Sequence, residues 1–122
     1  MPNILIVDDS RTMRQLLCFT AKRIPGVKII EATDGADAFK KLSTEKIDII
    51  LSDINMPIMD GYELVNLVRK HELYKNIPII MITTRGAQED EQKALTIGAN
   101  AYLTKPVQAS DLIRLVKLYT SE

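Results

Sequence analysis

Asp8 and Asp9 stand side by side where a short β-branched run ends, Asp53 follows a second such run, Thr83 and Thr84 a third, and Thr104, Lys105 and Pro106 a fourth. A polar residue after one apolar run is ordinary, because strands give way there to solvent-exposed loops. Carboxylates, hydroxyls and an ammonium closing four separate runs are harder to attribute to solvent alone. Crowded carboxylates raise one another's proton affinity unless a cation sits among them. Their oxygens suit a hard ion, and magnesium accepts one or two carboxylates plus phosphate oxygens while keeping several waters. No Cys or His stands in these segments, which argues against zinc. Lys105 and Thr83 are suitable donors for the equatorial oxygens of a phosphoryl group in transfer. A carboxylate can accept that group covalently; composition and period leave open which Asp does so and which hold the metal.

The scaffold that carries these groups can be read from periodicity. Apolar runs at Ile4 to Val7, Val27 to Ala32, Ile47 to Ser52, Ile77 to Ile82 and Ala101 to Leu103 read as strands, the first, third and fourth central because they are apolar at consecutive positions. Between them lie segments of helical period. Met13, Leu16, Leu17, Thr20, Ala21 and Ile24 form the first behind a Ser10 cap, and Asp34-Gly35 and Asp60-Gly61 open the second and third. The fourth runs from about Gln88 to Ile97 and stops at Gly98, and the fifth carries Leu112, Ile113, Val116 and Tyr119 after a Ser110 cap. Strict alternation predicts a doubly wound α/β sandwich with a parallel sheet and right-handed crossovers, so the loops after the strands share one edge. Ligand chemistry belongs on that edge.

Bulk properties narrow the function classes. With 122 residues the chain is expected to form a single domain over residues 1–122, large enough for a core without staples. Sixteen basic and sixteen acidic residues cancel, so the long-range field that draws proteins to nucleic acid or anionic lipid is missing. Neither partner is expected. The lone Cys18 reads as a small buried hydrophobe and His71, after Arg69-Lys70, as a solvated helix terminus. With no leader or spanning segment in view, the cytoplasm is the expected location.

The segments Ile4-Leu-Ile-Val-Asp-Asp-Ser-Arg-Thr-Met-Arg14, Ser52-Asp-Ile-Asn-Met-Pro-Ile-Met-Asp-Gly61, Met81-Ile-Thr-Thr84 and Gly98-Ala-Asn-Ala-Tyr-Leu-Thr-Lys-Pro106 resemble the receiver domains of response regulators, most closely the small stand-alone CheY-like proteins. The resemblance spans essentially the whole chain. It implies the flavodoxin-like (βα)5 fold with strand order 2-1-3-4-5, and Asp53 as phosphoacceptor. It also implies magnesium held by Asp9, the Asp53 carboxylate and the Asn55 backbone carbonyl, with Asp8 positioning the ion through a bound water. Lys105 and Thr83 would contact the phosphoryl oxygens, Tyr102 would be the switch aromatic, and the Lys105-Pro106 bond would be cis. Thr84 stands where alanine is usual and Val107 where an aromatic is frequent; Asn55 and Arg85 sit where the family tunes acyl-phosphate lifetime. Arg85 is suited to shield the phosphoryl group from water.

The function implied by the resemblance is that of a monomeric two-component switch, not a turnover enzyme. It would take a phosphoryl group from a histidine kinase and alter the face of the fourth helix, fifth strand and fifth helix. A downstream protein in chemotaxis or motility, and in some systems a phosphatase, would be its partners. A phosphate sink or a relay intermediate would use the same chemistry. Two readings from other classes fare worse. A haloacid-dehalogenase-type phosphatase wants a second acid where Asn55 stands, and a flavodoxin-like cofactor binder wants a phosphate loop where Asp8-Asp9 would repel an anion.

Overall fold

A computed structural model describes residues 2–83 and 88–120. Strands and helices alternate along the chain as β1 (Asn3–Val7), α1 (Arg11–Ala21), β2 (Lys28–Ala32), α2 (Gly35–Thr44), β3 (Ile49–Asp53), α3 (Gly61–Lys70), β4 (Ile79–Thr83), α4 (Gln88–Thr96), β5 (Ala101–Thr104) and α5 (Ala109–Thr120). The strands form one parallel sheet in the order β2-β1-β3-β4-β5, with β1, β3 and β4 interior as their unbroken apolar runs require. Every residue of β3 and β4 is buried.

Because side chains alternate across a strand, the same three strands feed two cores. Leu5, Ile50 and Ile79 join Leu42 of α2, Leu64 and Val68 of α3, and Ala94 of α4 on one face. Ile4, Ile49 and Ile80 join Leu17 of α1 and Leu112 and Val116 of α5 on the other. Helices therefore cover both faces, which is the doubly wound arrangement.

Local signals set most element ends. The Ser10 hydroxyl accepts the Met13 N–H at the start of α1, and Asp34 accepts that of Asp37 at the start of α2. Asp60 and Glu63 form a reciprocal capping box on α3. Gly98, at φ +119, turns the chain after α4 as expected.

Several edges fall elsewhere than periodicity suggests. Helix α1 stops at Ala21 in a tight final turn before Pro25 and Gly26, although Ile24 beyond it is still buried. Strand β4 starts at Ile79 because Pro78 has no N–H for the ladder and the Ile77 N–H turns back to Tyr74. Ser110 is not the α5 cap. The helix begins at Ala109, the Gln108 carbonyl accepts the Leu112 N–H, and Ser110 lies inside the first turn. Among the described residues no helix is long and apolar enough to cross a membrane.

Candidate functional site

The parallel sheet delivers the C-terminal ends of β1, β3, β4 and β5 to one edge, and the predicted polar residues meet there. Asp53 is itself the last residue of β3, one position further into the strand than its sequence run implies. Carboxylate oxygens of Asp8, Asp9 and Asp53 lie within 4.8 Å of one another. Asp8 and Asp53 are buried and Asp9 is exposed, so the cluster is open to solvent on one side.

Each member is held by its surroundings. The Asp8 N–H donates to the Ala32 carbonyl at 3.1 Å, extending the β1–β2 ladder past its formal end. Its Oδ1 accepts the Ser10 N–H at 2.9 Å. Its Oδ2 is buried with no hydrogen-bond partner among the described residues. Burial, with smaller contributions from the neighbouring Asp53 and Asp9 charges, pushes the Asp8 carboxyl above its ordinary range, although the Ser10 N–H and Lys105 oppose this. An orphaned anionic oxygen beside two more carboxylates is an arrangement that a cation would stabilise. The all-oxygen donor set fits magnesium, and the spread is small enough for one ion to be shared directly or through bound water.

Asp53 is fixed from both ends. Its carbonyl accepts the Ser52 hydroxyl at 2.9 Å, and Gly61 packs so closely on that carbonyl that a side-chain carbon there would collide with it, with the Ile54 backbone and with Met81. Its carboxylate Oδ1 accepts a hydrogen bond from the Lys105 ammonium at 3.1 Å. Lys105 is placed in turn by its N–H, which donates to the Thr83 carbonyl at 2.8 Å, and the Lys105-Pro106 bond is cis as the resemblance implies. Thr83 is buried, and among the described residues its hydroxyl makes only a long contact of 3.5 Å to the Leu103 carbonyl. A weakly held hydroxyl is free to be reoriented.

Tyr102, on β5, is 38 % exposed. It lines two grooves, one of about 600 Å³ with Glu91 and Leu95 of α4 and one of about 390 Å³ with Lys105 and with Asp111 and Arg114 of α5. Asn55 is exposed in the loop after β3. Thr84 and Arg85 lie outside the described residues. Val107, in place of an aromatic, is half-buried and lines an apolar groove of about 140 Å³ with Leu16 and Leu17 of α1.

The residues read as structural are structural. Cys18 is buried, which pushes its thiol up to about 11. His71 caps the end of α3 and is less solvated than expected, stacking on Tyr74 with ring centroids 4.1 Å apart. Sequence reasoning gave no role to Ser52, Gly61 or Arg14, all of which brace the site. Only the Asp-Gly pair before a helix offered a signal, and it reads equally as a plain helix start.

Comparison with known proteins agrees with this fold. Residues 4–117 match the family model described as the response regulator receiver domain. The chain is 40 % identical to the chemotaxis protein CheY homolog of Campylobacter jejuni over 104 residues, 84 % of this chain and 80 % of that protein. It is 41 % identical over 104 residues to chemotaxis protein CheY1 of Helicobacter pylori, 84 % of each. The solved structure of the chemotaxis response regulator CheY4 of Vibrio cholerae superposes with a TM-score of 0.87 at 36 % identity, covering 98 % of both chains.

Proposed function

The chain belongs to the response regulator receiver domain family, and on that premise we propose that it is a switch driven by phosphorylation of Asp53. The observation that carries the reading is the Asp53 carboxylate, set 3.1 Å from the Lys105 ammonium and beside the orphaned oxygen of Asp8.

Asp53 attacks the phosphorus of a phosphohistidine on a histidine kinase; the P–N bond breaks, an acyl phosphate forms on Asp53 and the imidazole leaves. Magnesium, when bound by Asp8, Asp9, the Asp53 carboxylate and the Asn55 carbonyl, supplies positive charge to the transferring oxygens. Lys105 exchanges its bond to Asp53 for one to a phosphoryl oxygen, and the Thr83 hydroxyl turns from Leu103 toward another. Water attack on phosphorus later restores the carboxylate and releases phosphate, at a rate set by Asn55, Thr84 and Arg85. With one acceptor and self-limited hydrolysis, the protein acts as a switch and not as a turnover enzyme.

Movement of Thr83 makes room for the Tyr102 ring, and the α4–β5–α5 surface changes with it. Moving an equilibrium from 1:99 to 99:1 takes about 5.5 kcal/mol. Two charge-assisted contacts at roughly 1.5–3 kcal/mol each give about 3–6 kcal/mol gross, and one of them replaces the existing Lys105–Asp53 bond, so the net gain falls short of this. The shift is therefore partial and is completed by a protein partner on that face. The similarity to chemotaxis proteins favours a partner in motility control over a phosphate sink or a relay step.

Incubation with a small-molecule phosphodonor and magnesium, followed by intact-mass measurement, tests the chemistry. Wild type is expected to gain one phosphoryl group. Asp53→Asn, or wild type in EDTA, is expected to gain none, and an undiminished gain in Asp53→Asn would remove Asp53 from the role.

A further inference from the structure

Asp8 has four hydrogen-bonding atoms, and three of them are engaged. Its N–H meets the Ala32 carbonyl, its Oδ1 the Ser10 N–H, and its own carbonyl accepts Arg14 Nη1 at 2.9 Å. Arg14 is the one side chain in this set. It lies in the first turn of α1 with its side chain 14 % exposed, and its Nε is held at 2.9 Å by Glu31 Oε1 on β2. The guanidinium therefore joins the end of β1, the start of α1 and the neighbour of Ala32 on β2 through two rigidly related donors. The planar guanidinium holds the two acceptors with donor nitrogens fixed relative to one another, which a flexible ammonium does not reproduce.

The geometry points to Arg14 as a positioning residue for metal binding: by holding the Asp8 carbonyl it sets the backbone that carries the Asp8 carboxylate in the acidic cluster, and Glu31 fixes Arg14 in turn. This rests on the reading that Asp8 helps hold the ion. Arg14 does not touch the ion and acts through Asp8, as outer groups around metal ligands commonly do.

Charge and position predict opposite signs. A cation near an ion site repels a dication, so if charge were the whole of its effect, removing Arg14 would tighten magnesium binding. If Arg14 positions Asp8, removing it weakens binding, and lysine does not rescue because its flexible ammonium lacks two donor nitrogens fixed relative to one another. Calorimetric magnesium titrations at fixed ionic strength on wild type, Arg14→Gln and Arg14→Lys separate the two, with thermal unfolding in EDTA to confirm that each is folded. Both variants are expected to bind about tenfold more weakly. Unchanged or tighter binding in folded variants, with wild type binding normally, overturns the role of Arg14 alone. No uptake by wild type overturns the metal reading and this role with it. Should the Arg14 variants fail to fold, Glu31→Gln, altering a half-exposed side chain, takes their place: a smaller weakening supports the role and wild-type affinity overturns it.

Discussion

The end of the sheet that carries Asp8 and Asp53 and the helix α4 that flanks it are built on different physical terms. Asp53 sits on a strand whose every residue is buried, with its carbonyl pressed against Gly61, and Asp8 is gripped through backbone and carboxylate alike. Among the described residues of helix α4 only Ala94 is buried. Its described side-chain links to the body are polar: Asp90 accepts the Tyr62 hydroxyl at 2.6 Å, Lys93 lies 4.3 Å from the Tyr62 ring centroid, and Glu91 accepts the Thr104 hydroxyl at 3.4 Å. Hydrogen bonds of this kind are each worth about 1 kcal/mol net, against several for a buried aliphatic side chain. The proposed reaction at Asp53 suits the first kind of construction, and the proposed shift of the α4 surface suits the second. Glu89, Asp90 and Glu91 in the first turn favour the helix through its dipole and keep it formed without anchoring it deeply.

The largest expected effect contrasts the two regions directly. Ile50→Ala on β3 should cost about 2–5 kcal/mol in denaturant unfolding, because it removes a fully buried side chain between two paired strands. Leu95→Ala on α4, at a residue 45 % exposed, should cost less than about 0.5 kcal/mol. Equal losses would erase the contrast.

Asp8→Asn sharpens it at the site itself. Burial raises the Asp8 carboxyl above its unfolded value near 3.8, so the folded state binds this proton more tightly than the unfolded chain does. The stability of the metal-free protein is therefore lost as pH rises from the unfolded value through the folded one, and the penalty is fully present at neutral pH. In EDTA at pH 7, Asp8→Asn should be more stable than wild type by on the order of 1 kcal/mol, and the gap should close near pH 3. A gap independent of pH would mean the carboxylate carries no such penalty.

The smallest effect belongs to the α4 contacts. Tyr62→Phe removes a hydroxyl whose proton is held tightly by burial and by Asp90. It should change global stability by no more than about 1 kcal/mol, yet raise amide hydrogen exchange along α4 selectively. Exchange that rises equally in β3 would show that α4 is not an independent unit.

The strand runs, the caps at Ser10, Asp34 and Asp60 and the interior placement of β1, β3 and β4 are all legible in the sequence, because each is written in side chains a few residues apart. So is the polar edge, since residues that end parallel strands must share it. Less legible is the false cap at Ser110, where the helix starts two residues earlier than a cap there would require although the residue type suits a cap. The bracing of the site by Arg14, Glu31, Ser52 and Gly61 is not legible at all.

That polar residues closing four separate segments would meet at one rim was legible at the level of the sequence, because periodicity and chain polarity are local properties. It took the folded arrangement to leave one oxygen of Asp8 unpartnered, to bring Lys105 to Asp53 across 52 positions, and to fasten α4 by polar contacts while β3 is sealed in the core. Those outcomes depend on distances between segments far apart in the chain, and packing sets such distances after the local elements have formed.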